Sequence, residues 1–191
     1  MNRAFHHLYL TGFRGSGKTS VGKWLAAKLA LPVIDLDDCI EDAAGMSIQQ
    51  IFAAEGEPGF RERESLALKS VSVQPPSVVS LGGGAILREQ NRQLILATGF
   101  CIWLDVDADT AFERLARDAA TPQRRPSLTN LPGREEIVSL LAQRAALYAL
   151  AANVRIDVAG KSVEAIGEQI LAAVPSEDHV PSGDRVPRRP A

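Results

Sequence analysis

The chain has 191 residues, 46% of them apolar and 23% charged, the proportions of one globular domain with a sizeable core. Twenty-one Lys and Arg against 23 Asp and Glu leave a formal charge of −2, which argues against a protein that coats nucleic acid or an acidic surface. No run approaches the ~18 uninterrupted apolar residues of a membrane span, the start lacks a signal peptide's apolar region, and Cys39 and Cys101 have neither a C-x-x-C nor companion histidines. The expectation is a soluble, cytoplasmic, monomeric chain with reduced thiols and no nucleic-acid or membrane partner.

In chain order, short apolar runs at 8–11, 32–35, 78–81, 101–105 and 154–158 alternate with helical patterns at 18–29, 48–54, 60–73, 88–97, 108–118, 134–151 and 163–174. The runs are rich in Val, Ile and Leu and lack polar alternation, which predicts strands buried on both faces of a parallel sheet. With right-handed β-α-β crossovers this is an α/β fold, a doubly wound three-layer α/β/α domain over residues 1–174. Residues 119–133 form a Pro-rich loop carrying Arg124 and Arg125, a length uncommon in compact domains unless functional or disordered. Residues 175–191 hold four prolines and six charges with only Val180, Val186 and Ala191 apolar, which predicts a disordered tail.

Gly12-Phe13-Arg14-Gly15-Ser16-Gly17-Lys18-Thr19 fits the phosphate-binding pattern G-x-x-x-x-G-K-[ST], after a strand and before a helix with Val21, Trp24, Leu25 and Leu29 on roughly one face. Gly12, Gly15 and Gly17 let backbone N–H groups, with that of Ser16, wrap an anion at a helix N-terminus. Lys18 is placed to reach β- and γ-phosphates, and the Thr19 hydroxyl to ligate Mg²⁺. A nucleoside triphosphate is therefore expected. The chain is short for a motor and lacks the N-K-x-D of a GTPase, so a small-molecule kinase fits best.

Three features sit on the acceptor side, each with two readings. In Asp35-Leu36-Asp37, strand alternation puts both carboxylates on one side at a strand end where doubly wound sheets bind ligands, or an Asp caps a helix over 37–41. In Phe60-Arg61-Glu62-Arg63-Glu64, Arg61 and Glu64 share a helix face, as a surface ion pair or as site residues. Gly82-Gly83-Gly84 strips side chains so that a ligand can touch backbone, or makes a loose turn. His6, His7 and His179 lack ligand spacing, and Asp105 is expected to cap the helix that follows it.

In this order the glycine cradle, Asp35-x-Asp37, Phe60-Arg61-x-x-Glu64, Gly82-Gly83-Gly84, Arg125-Pro126-x-Leu128 and Arg144-x-x-x-Tyr148 closely resemble the shikimate kinase family over roughly residues 8–173. The resemblance implies ATP-dependent phosphorylation of the 3-hydroxyl of shikimate, a step toward aromatic amino acids. It also implies a five-stranded parallel sheet of the P-loop NTPase fold, like that of nucleoside monophosphate kinases, with a mobile lid at about 119–133. By that resemblance Asp37 holds the acceptor hydroxyls and accepts the proton, and Asp35 lies near Mg²⁺. Arg61 and Arg144 grip the substrate carboxylate, Gly82, Gly83 and Gly84 line the pocket with backbone N–H groups, and Glu64 orients Arg61. Arg125 is the lid arginine reaching the phosphates, chosen over Arg124 by register, and Arg114 falls beside adenine. Leu81 and Ser127 depart from the residues many members carry, and Ser80 stands at the end of the third strand. Two arginines suit a small ring acid better than a neutral sugar, because a guanidinium gives a carboxylate two parallel bonds. The alternatives are a kinase for another hydroxy acid such as gluconate, or for a nucleoside monophosphate, and a non-catalytic nucleotide-binding regulator.

Overall fold

The structure, a computed structural model, describes residues 6–117 and 133–175. Five strands, β1 His7–Thr11, β2 Val33–Asp35, β3 Val78–Ser80, β4 Gly99–Asp105 and β5 Val154–Asp157, form one parallel sheet in the order β2-β3-β1-β4-β5. The first strand is central and the chain winds outward from it in both directions, so a crevice opens beyond its C-terminal end. Leu8 pairs with Val78 on one side and Phe100 on the other, a register that puts Thr11 opposite Trp103 and the glycine loop at the sheet's rim.

Alternation along β1 and β4 fills two cores. Leu8, Leu10, Ile102 and Leu104 face one cluster with Val21 and Leu25 of α1 (Lys18–Leu29) and Ile166 and Ile170 of α7 (Val163–Ala173). Tyr9, Cys101 and Trp103 face the other, with Leu36 and Ile40 of α2 (Leu36–Ala44), Leu68 and Val71 of α3 (Ile48–Ser72), and Ile95 of α4 (Glu89–Thr98). Between β4 and β5 run α5 (Ala108–Arg117) and α6 (Gly133–Ala151). The central strands are buried on both faces as expected. The outer ones are not: Val33 of β2 is 42% exposed and β5 alternates, because each has a neighbour on one side only.

Several boundaries differ from the sequence reading. β4 begins two residues early because Gly99 pairs with His7. The helices expected at 48–54 and 60–73 form one run, broken at Gly56, whose φ of 68° only glycine adopts readily, with Pro58 just beyond the break. A Ser47–Gln50 capping box starts that run. Asp105 does not cap α5: it pairs with Arg155 at 2.5 Å, and Asp107 takes the cap, accepting the Thr110 N–H at 2.8 Å. The loop read as a lid, up to residue 132, and the tail from 176 lie outside the described residues. Among the described residues no helix is long and apolar enough to cross a membrane.

Candidate active site

The cradle is shaped by its glycines. Gly12, Gly15 and Gly17 have φ of 143°, 79° and 91°, and a Cβ on Gly12 would overlap the Leu104 carbonyl of the neighbouring strand. The Lys18 side chain is buried, and its Nζ donates to the carbonyls of Gly12 and Phe13, both at 2.9 Å, and to Ser16 Oγ at 3.4 Å. Its ammonium thus stands inside the loop. Arg114, from α5, donates to the Gly15 carbonyl at 3.1 Å and the Val158 carbonyl at 3.4 Å, which braces the loop against the end of β5.

Asp35 ends β2 and caps α2, accepting the Asp37 N–H at 3.1 Å. The capping reading holds for Asp35, and its other oxygen accepts from Thr19 Oγ1 at 3.4 Å. Strand alternation does not relate Asp35 to Asp37, because the helix already begins at Leu36. The first turn of α2 instead swings Asp37 toward Gly82, where a Cβ would stand 2.8 Å from Asp37 Oδ1 and 2.9 Å from Glu64 Oε1. A Cβ on Gly84 would overlap the Arg61 guanidinium. The glycines are small because three charged groups occupy the adjoining space.

Arg61 and Glu64 are no surface pair. Arg61 Nη1 donates to Glu64 Oε2 at 2.8 Å, with the two side chains 10% and 1% exposed. Arg61 Nε and Nη2 both donate to Glu57 Oε1, at 3.2 and 3.1 Å. Burial works against the Arg61 charge, but Glu64 and Glu57 outweigh it and hold the guanidinium above its usual range. Burial pushes the Glu64 carboxyl up, Arg61 opposes that, and Asp37 adds to it. Glu64 Oε1 is buried with no hydrogen-bond partner among the described residues.

Arg144 and Tyr148 lie one helical turn apart on α6, and both donate to the Gly83 carbonyl, at 3.4 and 2.8 Å. Tyr148 stacks on Trp103 with ring centroids 5.6 Å apart. One cavity is lined by Asp37, Arg61, Glu64, Gly82, Gly83, Gly84 and Arg144, with Phe13, Ile48, Phe52, Phe60 and Leu140 as apolar walls and Arg14 at its rim toward the cradle. Of the acceptor-side residues singled out in the sequence, the structure brings Asp37, Arg61, Glu64, Gly82, Gly83, Gly84 and Arg144 to this cavity, while Asp35 lies outside its lining, beside Thr19. Arg125 and Arg124 lie outside the described residues. Sequence reasoning missed Glu57, Arg14, Glu136 and the apolar walls. Only Glu57, at i−4 from Arg61, carried a local signal.

The profile of the shikimate kinase family matches residues 14–175. The chain belongs to the shikimate kinase family. A shikimate kinase of Rhodopirellula baltica is 51% identical over 170 residues, covering 89% of this chain and 91% of that one. The shikimate kinase of Acinetobacter baumannii, solved in complex with shikimate, superposes with a TM-score of 0.82 at 32% identity, over 88% of this chain and 92% of that one. A gluconokinase of Sinorhizobium meliloti gives 0.57 at 16% identity, over 90% and 93%, which is a likeness of fold alone. The fold is thus the P-loop NTPase fold expected for the family.

Proposed function

We propose that this chain transfers the γ-phosphoryl group of ATP to the 3-hydroxyl of shikimate, giving shikimate 3-phosphate and ADP. One observation carries the choice of a carboxylic acid: two buried arginines, Arg61 and Arg144, converge on the glycine segment beside the phosphate cradle. Each guanidinium can offer a carboxylate paired N–H donors, and burial strengthens such bonds. Glu64 and Glu57 hold Arg61 in place before any ligand arrives, so little ordering is left to binding. Asp37, beside Glu64 at Gly82, receives the acceptor hydroxyls.

Transfer forms a bond between the 3-oxygen and the γ-phosphorus while the bond from phosphorus to the ADP oxygen breaks, its electron pair leaving with ADP. The hydroxyl proton passes to the Asp37 carboxylate. In a loose transition state the larger task of Asp37 is to aim the hydroxyl. Lys18 exchanges the Gly12 and Phe13 carbonyls for phosphate oxygens. Arg125, by motif order, adds charge from the nucleotide side, and Arg114, by the same resemblance, flanks the base.

Thr19 and Asp35 fit Mg²⁺, since a hydroxyl and a carboxylate converge beside the cradle as hard oxygen donors. Among the described residues no three His, Cys, Asp or Glu side chains cluster to hold a metal. When bound, Mg²⁺ neutralises charge on the β- and γ-oxygens.

ADP release measured by a coupled assay, with shikimate against gluconate and nucleoside monophosphates, tests the activity. Turnover with shikimate well above the others is expected. A preference for gluconate or a nucleotide acceptor overturns it.

A further inference from the structure

Phe13 and Arg14 stand between Gly12 and Gly15 in the cradle, yet both line the acceptor cavity. The two sites touch here: a Cβ on Gly83 would lie 3.4 Å from the Gly12 carbonyl oxygen and 3.8 Å from the Arg14 nitrogen. Arg14 thus occupies the seam that a phosphoryl group must cross between nucleotide and acceptor. Its side chain is only 14% exposed, and Nη2 donates to Glu136 Oε2 at 2.7 Å. Its Nε is buried with no hydrogen-bond partner among the described residues. A purely structural tether to Glu136 needs one donor, whereas a buried N–H without an acceptor is a cost that folded proteins rarely tolerate. An acceptor supplied by a ligand at the seam removes that cost. Glu136 is itself buried, in the first turn of the helix that carries Arg144 and Tyr148, so one rigid element sets the guanidinium relative to the carboxylate-binding wall.

We propose that Arg14 is a third binding arginine of the acceptor pocket, which donates to the phosphoryl oxygens as they arrive on the 3-oxygen and so binds the phosphorylated product in preference to the substrate. The inference rests on the activity proposed above. Before transfer the acceptor offers Arg14 a hydroxyl. Afterwards it offers a phosphate dianion, with several strong acceptors in place of one. Arg61 and Arg144 meet the carboxylate in both states and do not discriminate between them. Arg14 meets the group that differs.

Titration calorimetry on the full chain, without nucleotide, reads this as the ratio of the dissociation constants for shikimate and shikimate 3-phosphate. Arg14→Met should weaken shikimate 3-phosphate ~10-fold or more while shikimate changes less than ~3-fold, because only charge-assisted bonds to the phosphate are lost. Arg14→Lys should regain part of the product affinity. Should Arg14→Met fail to fold, the double variant Arg14→Met/Glu136→Gln removes the buried charge that has lost Arg14 and should show the same ratio. Equal weakening of both ligands, or unchanged product affinity, overturns the proposal and leaves Arg14 a structural tether. Wild-type protein that fails to phosphorylate shikimate overturns the activity itself, a result read separately from the variant ratios.

Discussion

Replacing Arg61 by Met should cost stability as well as binding, and the cost should depend on pH. Arg61 makes three carboxylate hydrogen bonds, two to Glu57 and one to Glu64. The Glu57 side chain is 51% exposed, so its pair contributes little to folding. Glu64 is 1% exposed, and removing one partner of a buried pair typically costs roughly 3–5 kcal/mol, since the other charge is left desolvated. For a domain of this size roughly 2–4 °C of Tm follows each kcal/mol, so Arg61→Met should melt about 10 °C below wild type near neutral pH. Burial and Asp37 already raise the Glu64 carboxyl, and losing Arg61 removes the larger of the two opposing charges, leaving only the weaker pull of Arg144. A carboxyl whose folded pKa lies above its unfolded value contributes fully below the unfolded pKa and loses that contribution as pH rises through the folded one. The deficit of the variant should therefore shrink as pH falls toward the still higher pKa of the orphaned Glu64. Thermal unfolding followed by circular dichroism at neutral and mildly acidic pH measures both effects, and Arg61→Met/Glu64→Gln should recover most of the loss while its KM for shikimate stays high. A neutral-pH Tm within ~2 °C of wild type, or the same deficit at both pH values, refutes the reasoning.

Gly84→Ala should raise the KM for shikimate ~10-fold or more and lower Tm as well, because its Cβ would displace the buried Arg61 guanidinium from Glu64, whereas a Cβ on Gly83 meets its neighbours at ordinary distances of 3.4 Å and beyond and Gly83→Ala should change both less. Steady-state kinetics of the pair checks this, and equal KM values refute it. Asp35→Asn should raise the Mg²⁺ concentration needed for half-maximal rate while leaving α2 capped, since Asn caps as well as Asp; Thr19→Ala should do the same, and a Mg²⁺ titration of the rate checks both.

The sequence carried the fold wherever spacing is local. The cradle, its helix and the strand cores follow from motif and periodicity, and the central strands bury both faces as their composition requires. Reasoning along the chain failed where a structure changes period between neighbours. Alternation predicts Asp35 and Asp37 on one side, but α2 begins at Leu36, so the side-chain rotation there is about 100° rather than 180° per residue. The sequence leads one to expect Asp105 as the cap of the helix after it. Two further residues of extended chain bring Asp107 to the helix instead, and Arg155 on the neighbouring strand takes Asp105. The burial of the Arg61–Glu64 pair was open in the sequence, since an i,i+3 spacing is the same on a wet face and a dry one. Arg14 was hidden as a variable position inside the cradle motif, and its partner Glu136 lies 122 residues away, beyond any local pattern.

The charge inventory of the acceptor pocket explains how it can select an acid without being a basic patch. The lining holds Arg14, Arg61 and Arg144 against Asp37 and Glu64, and Glu136 and Glu57, outside the lining, pair with Arg14 and Arg61, so little positive charge is left to draw anions in by field alone. Selection has to come from directed donors. Each arginine is anchored through part of its guanidinium, Arg61 to Glu64 and Glu57, Arg14 to Glu136, and Arg144 to the Gly83 carbonyl. A guanidinium has five donors in a fixed plane, so anchoring some of them orients the rest. Glu64, Glu57 and Glu136 fix Arg61 and Arg14 in place before the ligand arrives, and Asp37 is left to meet its hydroxyls. A neutral ring of the same size would then leave buried donors without acceptors, and a misplaced anion would face Asp37 and Glu64. Selectivity of that kind depends on geometry more than on total charge, which is why a Cβ on Gly84, carrying no charge at all, should weaken shikimate binding by displacing Arg61.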